Sequence, residues 1–291
     1  MSSMQSVPSK GSFEIAVWTL CTLSVCCLAS RLVLRKREKE RLKKSDYILL
    51  VASASLLIAT ALLQSILQHL YDYWGSASNI STPSQGLSFR VTSRLTTTIE
   101  LLWLTLYLVK ASFLVQSKFY KPLYAYVSPN LTRYYWASVG MCGVGFFFTL
   151  IITIVLCPHP EYCRHTALQD TLPWEITLST LDILTDLLVI SIPVSLACLA
   201  NFTLSNAIIN TLFKSLSVFP IIITVCRTIF QINKEKRQIN YLILALWLAI
   251  EAAVAVIMGS VSSYRTVVLK LYATHIRQQR SDPTQSGEWV P

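Results

Sequence analysis

The chain has 291 residues, of which 53% are hydrophobic and only 14% charged, and its mean hydropathy is +0.50. Soluble chains carry about a quarter of their residues as charges, so this composition excludes a wholly disordered chain, collagen, a coiled coil and a disulfide-dense secreted domain. A polytopic membrane protein remains, and the net charge of +10 calls for no nucleic acid, because basic connections facing anionic lipid account for it.

Seven apolar runs reach the roughly 20 residues that a helix needs to cross the hydrocarbon core, and their continuity favours helices over a barrel. Span one, Phe13–Leu34, is longer than a signal-peptide core and has its positive flank behind it, so it is expected to stay as an anchor. Arg35, Lys36, Arg37, Lys39, Arg41, Lys43 and Lys44 follow it, with Arg31 just before them. Span two, Tyr47–Leu70, leads into an external loop where Asn79-Ile80-Ser81 forms an N-glycan acceptor. Span three, Leu95–Val115, carries Glu100 in its outer half and Lys110 in its inner half.

Span four, Tyr134–Cys157, contains Gly140, Gly143 and Gly145, small residues that permit close helix approach. The loop after it holds Cys157, His159, Cys163 and His165. A Cys157–Cys163 disulfide suits an oxidising outer side. A zinc site from the four residues has the right ligand types at an unusual spacing, and free thiols are the third reading. Span five, Trp174–Leu199, places Asp182 and Asp186 four residues apart, hence on one helix face. Span six, Leu212–Ile232, includes Pro220, where a kink is expected, and Arg227. Span seven, Ile239–Val261, has Glu251 at its centre. Beyond it, Tyr264, Val267, Val268, Leu271 and Tyr272 recur with helical spacing, marking an amphipathic interfacial helix over 262–280 before a disordered tail at 281–291.

Lys and Arg set the orientation. Fourteen fall on the side of the first connection and the C-terminus and seven on the other. The expectation is an all-α seven-helix membrane bundle over 13–261, with an external N-terminus at 1–12 and a cytoplasmic C-terminus.

Charge at the bilayer centre costs at least about 2.5–3.5 kcal/mol, so the intramembrane ionisable residues carry the functional information. Glu100, Lys110, Asp182, Asp186 and Glu251 cannot all escape to the interfaces; Arg227 reads equally well as interior or headgroup-facing, and Glu14 and Glu175 read as interfacial. Two readings of the interior set stay open: a ligand-binding or switching layer, or a structural network in which Lys110 and Arg227 pair with carboxylates. Four carboxylates against two cations leave surplus negative charge, which requires a proton, solvation, a cation or a ligand. Phosphate loops, His-Glu-x-x-His and Gly-x-Ser-x-Gly are absent, no metal or other cofactor is expected, and span seven has no Lys to carry a retinal Schiff base.

Several segments resemble the fungal rhodopsin-like integral membrane proteins. They are Leu181–Pro193 with its two aspartates, Leu108-Val109-Lys110-Ala111-Ser112, Cys157-Pro158 and Trp247-Leu248-Ala249-Ile250-Glu251. The resemblance covers roughly Phe13 to Arg265. Ser45-Asp46 stands where an acidic pair often opens span two, and the proline usual after span seven is missing. Some members of that family carry an external eight-cysteine CFEM domain and are regarded as G-protein-coupled receptors; with twelve residues before span one, this chain is expected to lack that module. The resemblance implies a receptor-like protein with a small-molecule ligand and a cytoplasmic signalling partner in addition to the lipid bilayer. A membrane-embedded enzyme of cyclase type, with a carboxylate as general acid, and a transport or accessory role in secondary metabolism are the alternatives.

Overall fold

The computed structural model describes residues 9–37, 43–77, 89–118, 129–156, 172–199, 218–233, 238–239 and 241–261. They form seven helices: α1 (Lys10–Arg37), α2 (Lys44–Ala77), α3 (Phe89–Lys118), α4 (Pro129–Leu156), α5 (Leu172–Leu199), α6 (Val218–Gln231) and α7 (Tyr241–Val261). The all-helical expectation holds, with one small addition. Ile232–Asn233 and Gln238–Ile239 pair antiparallel as a two-residue ribbon between α6 and α7. Asn79, Cys157, Cys163, the 262–280 segment and the tail lie outside the described residues.

Local chemistry fixes the helix starts. The Ser9 hydroxyl accepts the Ser12 N–H at the head of α1, a serine cap for an otherwise orphaned donor. At the head of α2 the Asp46 carboxylate reaches back to the Lys43 N–H at 3.0 Å, as the third residue of a capping box does. Pro220 stands in the first described turn of α6, and the residues before Val218, where its kink would show, lie outside the described residues.

Successive helices are neighbours, and α7 returns to α1, which closes the bundle; α3 also touches α5 and α7. Bonds at one end establish the alternation of direction. Ser112 donates to the Ser45 carbonyl, Tyr135 donates to the Leu114 carbonyl, and Tyr134 and Ser191 share a hydroxyl contact. These join the late part of α3 to the early parts of α2 and α4, and early α4 to late α5. That end, which also bears Arg37 and Lys44, is called the basic end below.

Five helices among the described residues are long and apolar enough to cross a membrane, and Phe219–Phe230 in α6 is a shorter apolar run. In α7, 67% of the most apolar stretch is buried, against 28% in α1 and in α4. Thus α7 is interior and α1 and α4 are peripheral. Ile15, Leu23, Val144, Phe147 and Ile151 stand outward on those peripheral helices, which suits contact with acyl chains rather than water. The interior face is built from Leu49, Leu56 and Leu63 of α2, Leu102 and Leu106 of α3, and Leu244, Leu248 and Val256 of α7.

Candidate functional site

Four helices each turn one stripe of polar side chains inward, at the three-and-four spacing that defines a helix face. From α3 come Trp103, Tyr107 and Lys110; from α5, Asp182, Thr185 and Asp186; from α6, Thr224 and Arg227; from α7, Glu251. All are buried. In lipid-facing helices such groups find partners only in the bundle interior, and here they find one another.

Lys110 Nζ donates to Asp182 Oδ1 at 2.6 Å, to Thr185 Oγ1 at 2.8 Å and to the Asp182 carbonyl at 3.1 Å, and it lies 2.9 Å from Asp186 Oδ1. Asp182 turns its second oxygen to Arg227, whose Nη2 is 3.2 Å away. Arg227 continues to Glu251, with Nη1 2.8 Å from Oε2. That last contact is ionic only: Nη1 and Oε2 are out of line for a hydrogen bond. Glu251 is held through its other oxygen, which accepts from Thr224 Oγ1 at 2.6 Å. The chain of charges therefore runs Asp186–Lys110–Asp182–Arg227–Glu251 across four helices.

Aromatic faces cover both cations. The Arg227 guanidinium carbon lies 4.7 Å from the centre of the Trp103 ring, and Lys110 Nζ lies 5.4 Å from that of Tyr107. Away from water, such contacts are worth about 2 kcal/mol for the closer pair. The Tyr107 hydroxyl is buried with no hydrogen-bond partner among the described residues. It packs directly against Gly145, where an added Cβ would come within 2.7 Å of the oxygen.

A cavity of about 80 Å³ adjoins this layer between α3, α5, α6 and α7. Lys110, Asp186 and Glu251 line one side, and Phe113, Val189, Pro220 and Met258 are among the apolar walls. On α5, α6 and α7 the wall residues lie on the basic-end side of the ions, whereas on α3 Leu106 and Val109 precede Lys110 and Phe113 follows it. Asp182 belongs to the layer but not to the cavity lining.

The structure thus brings together Lys110, Asp182, Asp186, Arg227 and Glu251. Glu100 is half-buried on the far side and acts electrostatically on Glu175. Arg227 is fully buried, which closes the headgroup-facing reading. Two sequence expectations are corrected. Glu175, read as interfacial, is buried within electrostatic reach of Arg227. Arg35, read with the basic connection that faces anionic lipid, is also buried, as is Arg31 just before that connection.

The reason for the second correction is Asp46, which is 0% exposed and needs counter-charge. Arg31 gives it bonds from Nε at 3.0 Å and Nη2 at 2.6 Å, and Arg35 Nη1 contacts its other oxygen. Arg31 Nη1 also donates to the Gly259 carbonyl of α7. A second charge cluster therefore clamps α1, α2 and α7 at the basic end. Trp103, Tyr107, Thr185 and Thr224 also went unrecognised in the sequence. The 103–107–110 and 220–224–227 spacings are the signals that could have found them.

The family model described as "Fungal rhodopsin domain" matches residues 30–270, which include both charge clusters. No curated protein and no solved structure matches the chain.

Proposed function

The chain belongs to the fungal rhodopsin family, and we propose that it works as a receptor-like multi-pass membrane protein whose buried ionic layer is a ligand-responsive switch. It does so without bound retinal, since α7 offers no lysine to hold one.

One observation carries this reading. Asp182 and Glu251 already balance Lys110 and Arg227 charge for charge, so Asp186 is a third carboxylate in a layer of two cations. A layer serving only to join helices has no use for it, because each buried ion costs several kcal/mol of desolvation. Asp186 is also the aspartate that meets the cavity. A spare charge beside an internal space gives the bundle two arrangements, one with the space empty and one with it filled, and a ligand biases a conformational equilibrium only through such a difference.

Spin labels test the switch. Tyr47 on α2 and Phe219 on α6 are exposed near the basic end and can carry labels on unnatural amino acids. In lipid nanodiscs, Asp186→Asn is expected to shift the Tyr47–Phe219 distance distribution of the folded protein. An unchanged distribution would contradict the switch.

A further inference from the structure

The geometry points to a small organic ammonium ion, an alkylamine in its charged form, as the occupant of the cavity beside Asp186 and Glu251. This deepens the reading of the ionic layer as ligand-responsive and rests on it.

Charge sets the sign of the ligand. Asp186 contacts Lys110 through Oδ1, keeps 11% of its side chain exposed, and lines the cavity. Glu251 also lines the cavity, and its buried Oε2 has no well-formed hydrogen bond among the described residues, with Arg227 Nη1 2.8 Å away but out of line. The carboxylate oxygens of Asp182, Asp186 and Glu251 lie within 4.8 Å of one another. Lys110 does not satisfy this side, because its donors are directed to Asp182 and Thr185 as well as to Asp186. An anion here would face the surplus carboxylate in a water-poor space; a cation would complete the balance.

The walls decide the kind of cation. A hard metal ion takes about six or more oxygen ligands. The cavity side chains supply oxygens from Asp186 and Glu251 alone, and the remainder, Lys110 apart, is hydrocarbon or the Met258 thioether. An alkylammonium needs two or three acceptors at one end and apolar contact at the other, which is the division found between the Asp186–Glu251 side and the Phe113, Val189 and Met258 walls. Size agrees as well. Some 10–15 Å³ admits a single water, so 80 Å³ holds a group of several heavy atoms rather than a bare ion.

The full chain in nanodiscs, titrated with n-propylammonium chloride, tests the assignment through the midpoint of thermal unfolding. The expected result is a saturable rise at millimolar concentration that n-propanol and sodium chloride do not reproduce. Asp186→Asn should abolish the rise by removing the negative charge that the ammonium would balance. Ala255→Leu should abolish it by filling the cavity, and it leaves every charged residue in place. No rise in the wild type, an equal rise with propanol or sodium, or a rise that survives Ala255→Leu would each overturn the alkylammonium site. The switch is judged separately by the Tyr47–Phe219 distances: a shift in Asp186→Asn without any propylammonium response defeats this ligand and leaves the switch standing.

Discussion

Lys110 Nζ stands between Asp182 and Asp186, 2.6 Å from one carboxylate and 2.9 Å from the other, so one ammonium on α3 restrains two successive turns of α5. Removing one partner of a buried ion pair costs about 3–5 kcal/mol, because the other charge stays buried and uncompensated. Lys110→Met should lose stability on that scale in chemical denaturation. Lys110→Met with Asp186→Asn should recover part of the loss, since the double change leaves one fewer unpaired carboxylate. A double variant no more stable than the single one would show that Asp186 is not coupled to Lys110.

Arg227 bridges Asp182 and Glu251 while resting on Trp103. A lysine cannot reproduce a planar fork that reaches two carboxylates and stacks on an indole. Arg227→Lys and Trp103→Leu should each cost about 2 kcal/mol or more. Combined, they should cost less than the sum, because both remove the same stacking contact. Additive losses in a double-mutant cycle would place the stabilisation elsewhere.

The clamp at the basic end makes a different prediction. Asp46→Asn leaves Arg31 and Arg35 buried without their shared carboxylate, again a loss of about 3–5 kcal/mol. Because Arg31 also holds the Gly259 carbonyl, amide hydrogen exchange in the last described turn of α7 should quicken in this variant more than in the centre of α7. Uniform exchange along α7 would show that the clamp does not secure that turn.

Gly145→Ala probes the packing behind Lys110. The new methyl would meet the Tyr107 hydroxyl at 2.7 Å and its ring at 3.2 Å, and the ring is itself wedged against Phe146 and near Trp103. Overpacking of this kind costs about 1–3 kcal/mol. Gly143→Ala, where nothing lies within 4 Å, should be neutral or slightly stabilising. Equal effects in the two variants would contradict the close fit of Tyr107 on Gly145.

The helices were legible because hydropathy reports membrane length directly, and the interior charges were legible because lipid has no place for them. Which charges meet was less so. Arg227 sits only four residues from the end of α6, so nothing in its sequence position separates an interior guanidinium from one reaching the headgroups; burial on Trp103 decides it. Arg31 and Arg35 were concealed at the start of a run of basic residues whose neighbours Lys36 and Arg37 are exposed. They continue the buried stripe of Cys21, Ser24 and Leu28 on α1, which carries them to the buried Asp46. Trp103 and Tyr107 read as ordinary apolar span residues, because an aromatic ring carries no sequence mark of the cation it will cover.

The central claim is that Asp186 is the spare charge of the layer, kept for function, whereas Asp182 is the one the fold requires. Unfolding free energies of Asp186→Asn and Asp182→Asn, measured side by side in the same micelles, test this most directly. Asp186→Asn leaves Asp182 and Glu251 to balance Lys110 and Arg227, and should stay within about 1 kcal/mol of wild type or exceed it. Asp182→Asn withdraws the carboxylate that both cations share and should lose about 3–5 kcal/mol. Equal losses in the two variants would contradict the claim and make the whole layer structural.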